Sequence, residues 1–162
     1  MAKITLQEAL DKVEMTYQEL NEIAKDITAD FFEPVNNLVR ELGQINDLSN
    51  DEIRNYMIKL ALASYSLSEV KEKALLKAQL SEALKKEAIA RNYVEAEGTA
   101  SAKENAAQLN SSAEAVSEAL FDLVSNLFKG KQDQCNRLVD ALKSILMSRN
   151  MEAKLTTNNV DM

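Results

Sequence analysis

Apolar side chains recur along this chain every three and four residues. Leu6, Leu10, Val13, Tyr17, Leu20, Ala24, Ile27 and Phe31 are spaced 4, 3, 4, 3, 4, 3, 4. Ala102, Ala106, Leu109, Ala113, Val116, Leu120, Leu123 and Leu127 repeat the same spacing. An average step of about 3.5 is the period of a helix that lays one narrow seam against other helices. The pattern predicts an all-α chain: a long antiparallel helical hairpin with an added N-terminal helix, assembling as a helical oligomer.

Start and stop signals divide it. Thr5-Leu6-Gln7-Glu8 has the form of a capping box, in which Thr5 caps a helix and Glu8 reaches back. Pro34 lacks an N–H and disfavours a helical residue before it, so a kink or short break is expected there. Val35, Leu38, Leu42 and Ile45 then resume the apolar spacing, giving an N-terminal helical segment over 1–45. Ser49-Asn50-Asp51-Glu52 is a second capping box, and no Gly or Pro follows it until Gly98. A helix from about Asn50 to Glu97 would be about 70 Å long, too long for a small globule. Gly98 suits the residue that ends a helix, and Ser101-Ala102-Lys103-Glu104 reads as a third capping box. The next helix folds back on the long one and continues to about Leu155, with Gly130 as a weak point. Residues 50–155 form the hairpin and oligomerisation core, and 156–162 a disordered tail.

A single hairpin buries one stripe. Leu75, Leu76, Leu80, Leu84 and Ile89 spread over more than one, so burial on two sides, and a homo-oligomer larger than a dimer, is expected. The residues that carry association on this reading are Leu76, Leu80, Leu84, Leu120, Leu127 and Leu142. Ala61, Ala63, Ala74, Ala78, Ala83, Ala88 and Ala90 let a neighbouring helix approach closely.

Composition narrows function by removing chemistry. The chain has 162 residues, three Gly, one Pro, one Cys, no Trp and no His. Without His there is no His-based triad, no His metal ligand and no Glu-x-x-His di-iron site. No Gly-rich phosphate loop is present. Glu95 and Glu97 fall on different helix faces, so they do not make an acid–base pair. Clusters such as Asp11, Glu14, Glu19 and Glu22 read as a solvated face. The lone Cys135 reads as a small apolar residue on a helix face. The expectation is a non-enzyme with no cofactor and no metal. The N-terminus lacks the pattern of a signal peptide and no stretch suits a membrane span, so a cytoplasmic location is expected.

Charge brings in a candidate surface. The net charge is −7, yet residues 63–91 carry six basic and four acidic side chains while 92–128 carry one and six. Lys71, Lys73, Lys77, Lys85, Lys86 and Arg91 lie on the long helix ahead of Tyr93. Two readings stand: ordinary pairing with Glu69, Glu72, Glu82 and Glu87, or a phosphate-contacting flank with Tyr93 stacking on a base. The candidate nucleic-acid residues are Lys77, Lys85, Lys86, Arg91 and Tyr93.

One stretch carries a resemblance. Ile53-Arg-Asn-Tyr-Met-Ile-Lys-Leu-Ala-Leu-Ala-Ser-Tyr65-Ser is followed by the lysine-rich helix, by Ala90-Arg91-Asn92-Tyr93, by Gly98, and by an acidic, Ala-rich helix closing on Ser148-Arg149-Asn150. This order, over residues ~50–154, resembles phage recombination mediators of the UvsY type. The resemblance implies a helical ring that binds single-stranded DNA, displaces the single-strand-binding protein and loads a RecA-like recombinase. In that family the helix end before the Gly turn contacts DNA; here Arg91 matches, with Lys85 and Lys86 close by. The family is basic, whereas this chain is acidic. An alternative from another class is a phage-encoded helical inhibitor or adaptor that binds a host protein without nucleic acid. A third is a purely structural assembly subunit.

Overall fold

The computed structural model describes residues 6–45 and 47–160, and side chains over 16–45 and 47–155. It is all-α: α1 spans Leu6–Gln44, α2 Asn50–Glu95, α3 Ala100–Leu109 and α4 Ser112–Val160. No strand occurs among the described residues. The capping box at Thr5 and the first three seam positions, Leu6, Leu10 and Val13, involve residues or side chains outside that range.

The helix boundaries follow local chemistry. At Ser49 the backbone N–H donates to Glu52 Oε2 at 2.8 Å, and the Glu52 N–H donates back to Ser49 Oγ at 3.3 Å. That reciprocal pair is a capping box and starts α2 as expected. Gly98 has φ +111°, and a Cβ there would also meet that of Ala102 at 3.5 Å. The cap of α3 is Thr99 rather than Ser101: Thr99 is extended and its hydroxyl accepts from the Ala102 N–H. The turn at Gly98 finishes one residue before Thr99, so the first available hydroxyl takes the cap.

Two expected stops, a break at Pro34 and an end near Leu155, are absent, and the weak point at Gly130 stays helical. Pro34 lies inside a continuous α1. The missing hydrogen bond is tolerated because packing holds the helix on both sides: Val35 is buried, and Phe32 meets the Phe128 ring edge-on at 5.2 Å. Gly130 lies inside α4, which also continues past Leu155 to Val160. A different interruption appears at Asn110 and Ser111. It is slight, since Asn110 keeps αR geometry and its N–H still reaches Ala106 O at 3.0 Å.

The chain divides into two compact units: unit 1 is Met1–Thr28 with Val70–Leu127, and unit 2 is Ala29–Glu69 with Phe128–Met162. In unit 2 the buried side chains include Val35, Ile53, Leu60, Leu67, Phe128, Cys135 and Leu142. Phe31 and Phe32 of α1 meet Phe128 of α4, and Lys131 Nζ bonds Asn36 Oδ1 at 2.7 Å. Between α2 and α4, Ser64 Oγ donates to Asn136 Oδ1 at 3.0 Å and Arg149 donates to Asn50 Oδ1 at 3.3 Å. In unit 1 the buried positions are mostly small: Ala24, Thr28, Ala74, Ala78, Ser81, Ala88, Ala107 and Ser111, with Val124. Lys85 Nζ meets Glu118 Oε2 at 3.0 Å, and Lys77 Nζ stands over the Phe121 ring at 5.2 Å.

One line of buried and half-buried positions keeps the 4-3 spacing on other residues than the apolar runs. On α2 that line is Ile53, Met57, Leu60, Ser64 and Leu67 in unit 2, then Lys71, Ala74, Ala78, Ser81, Lys85, Ala88 and Asn92 in unit 1, with Tyr56, Ala63, Ser68, Val70 and Ile89 half-buried beside it. On α3 and α4 within unit 1 that line is Ala107, Ser111, Glu114, Glu118, Phe121 and Ser125, while Val124 is buried and Ala106, Leu120, Leu123 and Leu127 are half-buried to one side of it. Of the expected run Ala102–Leu127, no member is buried; Ala102, Leu109, Ala113 and Val116 are exposed and the rest half-buried. The Lys85–Glu118 and Lys77–Phe121 contacts fix which face of α4 meets α2, and the apolar run lies roughly 150° round the helix from it. On α1, Ala24 is buried as expected, but Tyr17, Ile27 and Phe31 are exposed. Thr28 takes the place of Ile27, its hydroxyl satisfied by Ala24 O at 3.0 Å.

Candidate functional site

All five candidate nucleic-acid residues lie on α2 within unit 1, and its four cations already have partners. Lys77 sits over Phe121. Lys85 pairs with Glu118, both side chains partly buried. Lys86 Nζ meets Glu82 at 2.6 Å and Arg91 Nη2 meets Glu87 at 3.3 Å, each one helical turn away. Lys71 pairs with its neighbour Glu72 at 3.2 Å. Glu82 is held below the usual carboxylate range by the Lys86 hydrogen bond, and Lys86 is raised by the same contact. Tyr93 is exposed.

The two pairs at Lys86 and Arg91 differ from the other two. They lie in solvent, where screening weakens them, and their geometry costs little to give up. Lys77 and Lys85 are held against α4. The five residues therefore split into an outer set, Lys86, Arg91 and Tyr93, and an inner set that serves packing.

The candidate association residues also separate. Leu76, Leu80 and Leu84 are 64%, 60% and 48% exposed. Spaced by four, they form one line on α2, roughly 130° from the Ala74–Ala78–Ser81 seam. Leu120 and Leu127 are half-buried. Leu142 is buried in unit 2 and belongs to that unit's own core, which corrects its expected role between subunits.

Among the described residues, no group of three His, Cys, Asp or Glu side chains could hold a metal ion. No helix is long and apolar enough to cross a membrane. A shallow depression in unit 2 is bordered by Gly130, Asp133, Gln134, Arg137 and Leu138. All five come from one helix and cannot enclose a ligand.

Sequence reasoning missed the role of Arg149. Its guanidinium donates to Leu48 O, to Asn50 Oδ1 at 3.3 Å and to Asp47 Oδ1 at 2.9 Å. It latches the loop between α1 and α2 onto α4 within unit 2. No periodic signal ties positions so far apart, although an arginine inside an apolar heptad tail marks a side chain with something to reach.

Comparison with known protein families, with characterised proteins and with solved structures returns no match.

Proposed function

We propose that this chain is a non-enzymatic helical protein that self-associates into homo-oligomers larger than a dimer and works by binding. The observation that carries this reading is the exposed Leu76–Leu80–Leu84 line on a unit whose own core is small. Contiguous apolar surface of that kind marks an interaction site. Partner numbers on α2 and α4 run in opposite directions, Lys77 with Phe121 and Lys85 with Glu118. This supports α2 and α3–α4 as the arms of a long antiparallel hairpin.

Within that class the specific activity we propose is recombination mediation of the UvsY type, with single-stranded DNA, a single-strand-binding protein and a RecA-like recombinase as partners. Its support is the outer set. Lys86 and Arg91 are held only by solvent-screened pairs, and Tyr93 is open to stack. Repeated once per subunit, a weak flank gains affinity by multivalency. The second reading is a helical inhibitor or adaptor that binds a host protein. It is favoured by the intrachain partners already held by Lys77, Lys85, Lys86 and Arg91.

Fluorescence anisotropy with a single-stranded oligonucleotide separates them. A mediator binds at low salt and weakens steeply as salt rises. Lys86→Glu with Arg91→Glu then abolishes binding while light scattering reports unchanged mass. An intact wild-type oligomer that ignores DNA at low salt hands the case to the adaptor.

A further inference from the structure

We infer that copies of this chain meet through α2, with the Ile58–Leu62–Tyr65 line of one copy laid antiparallel on the Leu76–Leu80–Leu84 line of another. The inference rests on the self-association reading and adds to it the other half of the contact, its direction and its register.

In unit 2, Ile58, Leu62 and Tyr65 are 60%, 63% and 78% exposed. They stand roughly 150° round α2 from the Ile53–Leu60–Leu67 seam. Within that unit α1 reaches α2 at Tyr56, through Glu41, and α4 reaches it at Ser64, through Asn136. Both contacts lie away from this line. In unit 1, every residue from 75 to 84 except Ala78 and Ser81 is exposed, so the leucine line is open along both flanks. Each line presents three large apolar side chains about one turn apart, the form in which one helix anchors on another.

The charged ends of the lines say what that other helix is. Asp51 precedes Arg54 at the start of unit 2's line, the two paired at 2.8 Å. Glu87 precedes Arg91 at the end of unit 1's line, paired at 3.3 Å. Laid antiparallel with Leu62 opposite Leu80, Ile58 falls opposite Leu84 and Tyr65 reaches Leu76 with its ring. The same register carries Asp51 to Arg91 and Arg54 to Glu87, so acid meets base at both places. Both intrachain pairs are exposed and join this cluster without losing their own contacts. Exposed pairs of this kind set orientation and add little strength; the apolar lines hold the contact. Running the same lines parallel, with Leu62 again opposite Leu80, sets Glu69 beside Glu87 and Lys73 beside Arg91, like charge against like. Pairing the leucine line with itself leaves Ile58, Leu62 and Tyr65 in water. A second copy laid antiparallel covers both lines and matches the charges at their ends.

The test is mixed-thiol cross-linking in the full-length chain. Ile58→Cys, Leu76→Cys and Leu84→Cys are made singly, with the wild type, whose Cys135 is buried, as the background. Equal mixtures are refolded together from urea and treated with a short bismaleimide. Antiparallel pairing yields at least tenfold more covalent dimer from Ile58→Cys with Leu84→Cys than from Ile58→Cys with Leu76→Cys, or from any variant alone. The reverse order shows a parallel contact and overturns the inference. A mixture of Leu76→Cys with Leu84→Cys that cross-links best overturns it too, since the leucine line then pairs with itself. So does an oligomer that light scattering shows intact while no mixture cross-links. Leu62→Asp reads the same contact without a thiol. With wild-type helicity by circular dichroism it lowers the oligomer mass, because a charge placed there loses water without gaining a partner; an unchanged mass overturns the inference. A wild-type mass of one 18.0 kDa chain instead overturns self-association itself.

Discussion

The two units share a helical spacing and fill it with opposite chemistry. On α2 the seam of unit 2 reads Ile53, Met57, Leu60, Ser64 and Leu67; that of unit 1 reads Lys71, Ala74, Ala78, Ser81, Lys85 and Ala88. A buried Leu or Ile contributes about 1.5–3 kcal/mol, a single methyl much less. Unit 2 therefore fills its inner seam with large apolar side chains, although Ile58, Leu62, Tyr65, Met147 and Met151 remain exposed on it. Unit 1 spends alanines and serines on its own seam and leaves leucines outside. The difference lies in the inner seams, large side chains in one unit and small ones in the other.

The largest test of that contrast is Phe128→Ala. Phe128 is fully buried and takes two aromatic edges; its truncation should cost about 3–5 kcal/mol in urea denaturation. Leu76→Ala, which removes an equally apolar group from the outside of unit 1, should leave the stability of the isolated chain within about 0.5 kcal/mol. A large loss at Leu76 would mean that the exposed line already serves the single chain. Next comes Ala78→Leu. In a seam closed around small side chains, the added atoms should cost about 1–3 kcal/mol, and hydrogen exchange should place the loss in unit 1. A gain there would show a loosely packed seam.

Gly130→Ala should stabilise by about 1 kcal/mol, read as a higher urea midpoint. The position is helical, and an added Cβ meets nothing within 4 Å. The smallest effect is in acid. Glu52, capping α2 in unit 2, is held below its ordinary 4.5 by the Ser49 side chain and backbone, and Glu82 in unit 1 is held down by Lys86. A lowered folded value means that the contribution is full above the unfolded value and is lost as pH falls through the folded one. Ser49→Ala should flatten that limb at Glu52 while leaving the limb at Glu82. If both flatten, the two sites are coupled.

The start of α2 was legible because a capping box is local, and its end because Gly98 supplies the left-handed turn. The continuity of α1 through Pro34 was not, since it depends on Phe128 from a distant part of the chain. The seams were half legible. Ala24 stood on the right rail, but Ile27 yielded to Thr28, and the run from Ala102 to Leu127 faced away. Periodicity reports that a helix has an apolar face; it does not report whether that face meets the same chain. The inner seam of unit 1 was hidden because Lys85 and Glu118 look like surface residues. The repeat of Ala74, Ala78, Ser81 and Ala88 was its visible trace. The partners of Lys86 and Arg91 were readable as neighbours one turn away. The cradle of Lys77 over Phe121 and the latch at Arg149 were not, because both join side chains from separate helices.

Cys135 gives unit 2 a clock. Its side chain is fully buried, and burial pushes the thiol above its ordinary value. A thiol reagent reaches it only in the moments when the helices around it part, and then meets little thiolate. The labelling rate of the wild-type chain is therefore the fraction of time that unit 2 stands open, multiplied by the rate for a free cysteine. Read beside oligomer mass across a dilution series, that rate tells whether assembly quiets the breathing of the half that packs around this cysteine.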